Sequence, residues 1–157
     1  MRFTYLHVGL AWMLATTFPA FADQAQTYVD YQRQVLRGER EASVRANVPL
    51  TPGESKAFWP LYREYHDAKD RLGDRSYQII RQYADAYNNN RVTDAEAQKW
   101  VMEALDIRAE EEKLLRKHME RVASMLPGRK FARYYQIETK LDALVRAKLA
   151  SEIPLVE

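Results

Sequence analysis

The sequence predicts an all-α protein, with four helices arranged around a long antiparallel helical hairpin, elongated and without strands. Three observations support this prediction. Apolar residues recur every three or four positions over long stretches, as they do on the buried face of a helix. A Thr-x-x-Glu capping signal opens two of these stretches, at Thr51 and at Thr93. No stretch shows the alternation of apolar and polar residues that is typical of a strand.

Residues 1–22 have the features of a secretory signal peptide. Arg2 is the only charged residue before Asp23, an apolar run follows it, and Ala-Phe-Ala at 20–22 is a small-x-small cleavage site. We therefore expect an exported mature chain that begins at Asp23 and forms one helical domain, 23–157. An uncleaved membrane anchor is the alternative. The chain has no Cys, which excludes disulfides and thiolate chemistry.

Two helices are predicted in the first half of the mature chain. The first spans Asp23–Ala46 and ends before Pro49, because a residue that precedes proline is disfavoured in the helical region. The second is the long helix Thr51–Tyr87, whose apolar stripe is the clearest in the sequence. Pro60 lies beyond its first turn and lacks a backbone donor, so we expect a kink there. Gly73 is a candidate for a second bend.

Two further helices follow a short polar connection. The third begins after the cap Thr93, carries acidic residues in its first turn and runs to about Leu126. A short connection between two such helices makes them antiparallel neighbours. Pro127 and Gly128 then turn the chain. The last helix is expected to end near Ser151.

Metal and cofactor chemistry have little support in the sequence. The mature chain has two histidines, His66 and His118, and neither belongs to a Glu-x-x-His pair of the kind used in helical di-iron sites. Histidines from facing helices can still meet, but a single histidine on a helix is more often a surface or interface residue. We therefore expect no metal and no cofactor.

The sequence also lacks the signatures of an enzyme. It contains neither a Gly-x-Ser-x-Gly elbow nor a glycine-rich phosphate loop. The acidic run 110–112 is interpreted as a solvated helix face, since neighbouring residues diverge around a helix. We expect no catalytic residues. The formal net charge of +2 does not suggest a nucleic-acid partner either.

Aromatic and arginine side chains are the remaining candidates for a functional surface, because both types are enriched where proteins recognise one another. Several of them fall off, or at the edge of, the main apolar stripes. We predict a client-binding or dimer surface formed by Tyr31, Arg33, Trp59, Arg63, Arg75, Tyr77, Arg133 and Tyr134. Packing of the aromatic residues in the helix seams is the alternative.

The two capped segments resemble the Leu-Thr-x-x-Gln motifs of the Spy/CpxP family of periplasmic proteins. Both copies have Glu in place of Gln, and the second has Val in place of Leu. The motif positions are Leu50, Thr51, Glu54, Val92, Thr93 and Glu96. Segments 57–62 and 132–142, with the ending 153–156, are similar to a group of uncharacterised secreted bacterial proteins.

The Spy/CpxP resemblance implies a helical hairpin that pairs into a cradle-shaped homodimer in the periplasm. It implies an ATP-independent envelope-stress chaperone that binds unfolded or partly folded envelope proteins. A regulatory partner of a periplasmic stress or metal sensor is the alternative, and a structural envelope protein without chaperone activity is the third. We expect no stable membrane span once the signal peptide is cleaved.

Overall fold

The computed structural model describes residues 36–156. The chain divides into two compact units, Met1–Glu39 and Arg40–Glu157. In the first unit, the described residues 36–39 are helical. The predicted signal peptide and the predicted start of the first helix at Asp23 lie outside the described residues, so both stay predictions.

Residues 36–156 form four helices and contain no strand. Helix α1 is described over residues 36–47, α2 spans Pro52–Asn88, α3 spans Asp94–Ala123 and α4 spans Gly128–Glu152. The predicted all-α fold with its long helical hairpin is confirmed. None of these helices is long and apolar enough to cross a membrane.

The caps form where the sequence predicts them. The Thr51 hydroxyl accepts a hydrogen bond from the backbone N–H of Glu54 at 3.3 Å, and the Glu54 carboxylate accepts one from the backbone N–H of Thr51 at 2.7 Å. This is a complete capping box. At the start of α3, the Thr93 hydroxyl accepts from the backbone N–H of Glu96 but donates to the Glu96 carboxylate. The second cap is therefore one-sided.

Ion pairs show how the helices run relative to one another. Arg121 near the end of α3 binds Glu64 near the start of α2, at 2.7 Å. Because this pairs the end of one helix with the start of the other, α3 is antiparallel to α2. Lys130 at the start of α4 binds Glu54 at the start of α2, at 2.6 Å, and Asp142 further along α4 binds Lys69 further along α2, also at 2.6 Å. Helix α4 therefore runs in the same direction as α2.

The core lies towards the start of α2, the end of α3 and the start of α4. Helix α1 and the residues after it cover this region with Val44 and Val48. The buried apolar side chains of the core are Val44, Val48, Phe58, Trp59, Leu61, Tyr62, Met119, Val122, Leu126 and Tyr134. In the other half of the hairpin, several large apolar side chains are exposed.

Neither Pro60 nor Gly73 interrupts α2, which is continuous through both positions. Pro60 is exposed, so water can reach the carbonyl group that its missing N–H leaves unpaired. A bend of α2 at Pro60 or at Gly73 stays a prediction.

Replacing Gly73 with alanine is expected to stabilise the protein. Glycine in a helix interior is less favourable than alanine by about 1 kcal/mol. A Cβ atom at Gly73 would meet no heavy atom within 4 Å. We therefore expect Gly73→Ala to raise the free energy of unfolding by about 1 kcal/mol, as measured by urea denaturation. An unchanged or lower value would contradict the regular helical environment described here.

Candidate functional site

Polar side chains lie inside the core where α2, α3 and α4 meet. His118 on α3 is 3% exposed, and its Nε2 lies 2.7 Å from the hydroxyl of Tyr134 on α4. The ring of Tyr65 on α2 stacks on His118 at 4.2 Å between centroids. Burial, together with the smaller effect of the neighbouring His66, lowers the pKa of His118 from 6.5 to about 4. His118 is therefore neutral at pH 7.

A buried carboxylate lies next to these residues. Glu138 on α4 is 1% exposed, and its Oε2 accepts a hydrogen bond from Arg40 Nη1 at 3.0 Å. Its Oε1 lies 3.5 Å from Nε2 of His66. Burial on its own would raise the pKa of Glu138, but His66, Arg40 and Lys69 outweigh it and hold the pKa below its usual value. Glu138 is therefore ionised at pH 7.

A second carboxylate extends this network towards solvent. Asp142, one turn further along α4, lies 2.8 Å from Arg40 Nη1 and 2.6 Å from Lys69 Nζ. Burial acts to raise the pKa of Asp142, but Lys69 and Arg40 lower it by more. These charges join α1, α2 and α4. We call the set His66, His118, Tyr134, Glu138, Arg40, Asp142 and Lys69 the polar cluster.

The polar cluster fixes the helices rather than presenting a reactive group to solvent. Burial raises the pKa of Tyr65 and of Tyr134 well above the ordinary value, so neither ionises near neutral pH. Over the described part of the chain, no group of three His, Asp or Glu side chains is placed to hold a metal ion.

An open apolar groove lies on the outer side of α3 and α4, close to the turn that joins them. Its volume is about 490 Å³. Its walls are Leu115, Met119 and Ala123 of α3 and Phe131, Ala132 and Tyr135 of α4. The rim carries both signs of charge, with Glu112, Arg116 and Glu120. We call this feature the apolar groove.

More apolar surface is exposed on the half of the hairpin far from the core. On α3 the exposed side chains are Val101, Met102 and Leu105, and on α4 they are Leu144 and Leu149. Large apolar side chains that stand close together on a surface are typical of interaction sites. The α3 side chains occupy neighbouring positions on one helix, which makes them such a group.

Two residues of the predicted surface are buried, and the prediction was wrong for both. Trp59 is 8% exposed, packs edge-to-face against Phe58 and is covered by Arg45, whose guanidinium carbon lies 3.7 Å from the ring centroid. Tyr134 is 0% exposed. The reason is that α1 covers Trp59 through Arg45, whereas Tyr134 packs against the aromatic rings of Phe58 and Tyr62 on α2.

The other predicted surface residues that the structure describes are exposed or half-buried. Arg63 and Arg133 are exposed. Arg75 is exposed and pairs with Glu110 at 2.8 Å, and Tyr77 is half-buried. Tyr31 and Arg33 lie outside the described residues.

The family-motif residues are placed as helix caps. Thr51, Glu54, Thr93 and Glu96 make the cap hydrogen bonds at the starts of α2 and α3. Leu50 packs against the core, and Val92 is half-buried. Glu54 also binds Lys130 of α4, which connects the cap of α2 to the start of the last helix.

Sequence reasoning missed the buried polar residues. Both histidines were expected at a surface or an interface, and both are buried. A usable signal was present, because His66 follows Phe58 and Tyr62 at four-residue steps along the apolar stripe of α2. Glu138 likewise follows Tyr134 by four residues. Polar residues in register with such a stripe indicate a buried network.

No protein-family model matches the chain, and no curated protein or solved structure is significantly similar to it. What the chain does must therefore be inferred from its own residues and their geometry.

Proposed function

We propose that this chain is a non-catalytic binding protein of the cell envelope, an ATP-independent chaperone that holds apolar polypeptide segments in the apolar groove. The observation that carries the proposal is the groove itself, about 490 Å³ of open space with apolar walls. This volume lies in the range of ligand-binding clefts. A groove between two helices also suits the apolar face of a polypeptide segment.

The side chains in the groove suit clients of varied sequence. Met119 lines the groove but is only 7% exposed, so its flexible and polarizable side chain adds a small contact area. Phe131 and Tyr135 lie one turn apart on the same face of α4 and offer large apolar contact areas. Because the rim has Glu112 and Glu120 as well as Arg116, it disfavours neither sign of charge in a client.

The sequence supports the same proposal. The signal peptide predicted at 1–22 would export the chain, and the Thr51 and Thr93 motifs resemble those of the Spy/CpxP family. Members of that family act in the periplasm without nucleotide. We accordingly place the protein in the periplasm, where its clients would be unfolded or partly folded envelope proteins.

Light scattering tests the proposal directly. The purified chain would be added in slight excess to two unrelated proteins that aggregate on mild heating or on dilution from denaturant. Suppression of both, without nucleotide, supports a chaperone. Suppression of neither would exclude it and would favour a regulatory partner that binds a single sensor domain.

A charge placed in the apolar groove is expected to weaken client binding. Ala132 lines the groove and is exposed, so Ala132→Arg adds a long cation there without disturbing the core. We expect binding of a permanently unfolded client to weaken about tenfold, which corresponds to about 1.4 kcal/mol. Fluorescence anisotropy of the labelled client would measure it.

The matched control is Ala147→Arg, the same change at an exposed position of α4 outside the groove. This variant should bind as the wild type does. Equal binding by all three proteins would show that clients bind elsewhere, for instance on the exposed side chains around Leu105.

The homodimer implied by the resemblance stays a prediction. The exposed side chains Val101, Met102 and Leu105 on α3 are available for a contact between copies. Sedimentation equilibrium over a range of concentrations measures the mass in solution. A single monomeric species throughout would exclude the dimer without affecting the groove.

A further inference from the structure

One hydrogen bond in the polar cluster crosses the seam between α3 and α4. It joins His118 Nε2 on α3 to the Tyr134 hydroxyl on α4, at 2.7 Å. The next residue along each helix, Met119 on α3 and Tyr135 on α4, lines the apolar groove. The bond and the groove therefore lie on the inner and outer sides of the same seam.

The second ring nitrogen of His118 is buried without a hydrogen-bond partner. A neutral imidazole carries one proton, so one of its nitrogens donates and the other accepts. A second proton would place a charged N–H on Nδ1 with no acceptor in reach. The stacked ring of Tyr65 offers a cation–π contact, but such a contact is weaker than the desolvation of a buried charge.

The charges around His118 do not favour its protonation. Burial opposes the charge most, and His66 on α2 and Arg121 on α3 add repulsion. Glu138 on α4 attracts it, but Arg40 of α1 and His66 already compete for that carboxylate. Glu64 on α2 attracts it too, but binds Arg121. The remaining titratable groups beside the ring are Tyr65 of α2 and Tyr134 of α4.

We propose that His118 and Tyr134 form a proton-sensitive latch on the α3–α4 seam, and that protonation of His118 opens the seam and widens the apolar groove. The inference that an open seam binds clients more tightly depends on the proposed function. The movement itself does not. In the closed state the proton has no favourable site, whereas a solvated histidine accepts it readily. Acid therefore favours the open state.

The size of the effect follows from the two states of the histidine. The pKa of His118 is about 4 in the closed protein and 6.5 in an unperturbed histidine. Between these two values, the open state binds protons that the closed state does not. From pH 7.5 to pH 5, the ratio of open to closed molecules should increase on the order of thirtyfold.

Distances between spin labels test the movement. The chain has no Cys, so Lys113→Cys on α3 and Lys140→Cys on α4, both at exposed positions, give two unique labelling sites. Electron paramagnetic resonance should show a longer-distance population that grows from pH 7.5 to pH 5. In a His118→Gln background, which cannot be protonated, the distances should not change with pH. An equal pH response in both backgrounds, or none in the wild type, would overturn the latch.

Two further variants keep the test decisive. Tyr134→Phe retains the ring but removes the hydroxyl, and it should show the open population already at pH 7.5. An unchanged Tyr134→Phe protein would show that this hydrogen bond does not hold the seam. His66→Gln is the matched histidine control and should keep most of the pH response. Complete loss of the pH response in this variant would show that the responsible proton does not bind at His118. Circular dichroism verifies that each variant is folded.

Client assays at the same two pH values separate the latch from the proposed function. A seam that opens in acid without binding clients at either pH would support the latch and exclude the chaperone. Client binding at both pH values by a protein whose seam does not move would support the chaperone and exclude the latch.

Discussion

Replacing Tyr134 with alanine is expected to lower the free energy of unfolding by about 4 kcal/mol. The side chain is fully buried and contacts Phe58 edge-to-face, with 5.0 Å between ring centroids. Alanine would leave a cavity and would remove the only hydrogen bond described for His118 Nε2. Domains of this size are stable by about 5–15 kcal/mol, so much of the stability would be lost. Denaturant unfolding followed by far-UV circular dichroism measures the loss.

The neighbouring residue provides the control. Tyr135 is 45% exposed and lines the groove instead of the core. Tyr135→Ala should cost less than about 1 kcal/mol, because surface substitutions seldom change stability much. Similar losses for the two variants would contradict the orientation of α4 described here. The two variants also test the burial of Tyr134, which the sequence had predicted to lie on the surface.

The parts of the fold that depend on local sequence could be predicted. The cap at Thr51 and the apolar stripe that follows it determine where α2 begins and which face is apolar. Residues 89–93 are few, so α2 and α3 had to be antiparallel neighbours. Each of these inferences needs only residues within a few turns of one another. For this reason the helix count, the hairpin and the end of α1 were all predicted correctly.

The second buried face of α2 could not be predicted in this way. Trp59 and Leu61 lie on different sides of the helix, and both are buried. Arg45 of α1 covers the side of α2 that carries Trp59, and a periodicity within α2 does not reveal which distant helix covers it. An amphipathic stripe identifies one buried face. It does not show that the rest of the helix is exposed.

The polar cluster illustrates a related difficulty. His66, His118 and Glu138 come from three different helices. The two histidines were considered as single residues, and Glu138 was not considered at all. Their burial is favourable only because they meet, since a polar group buried alone is destabilising. Their register with apolar stripes indicates burial. Which of them would become partners depends on how the helices pack.

Breaking the buried ion pair should have the second large effect. Arg40→Met removes the cation that binds Glu138 at 3.0 Å and Asp142 at 2.8 Å. Glu138 is almost fully buried and would keep His66, at 3.5 Å from its other oxygen, and the weaker attraction of Lys69. Removing one partner of a buried pair leaves a charge without compensation. We expect a loss of about 3 kcal/mol in the free energy of unfolding at pH 7.

An exposed pair of the same residue types is the control. Arg121 and Glu64 join α2 and α3, but both side chains are about half exposed or more. Arg121→Met should therefore cost less than about 1 kcal/mol. If Arg40→Met costs no more than Arg121→Met, the buried pair does not stabilise the fold.

A second substitution and a change of pH identify the charge of Glu138 as the cause. In a Glu138→Gln background, Arg40→Met should cost far less than 3 kcal/mol, because no buried charge is left unpaired. Protonation of Glu138 in acid should likewise reduce the cost of Arg40→Met. Since Arg40 helps to hold the pKa of Glu138 below 4.5, its stabilisation is present above pH 4.5 and is lost as the pH falls through the folded-state value. The difference between wild type and Arg40→Met should therefore shrink in acid, and a difference that stays constant would assign the effect of Arg40 to packing.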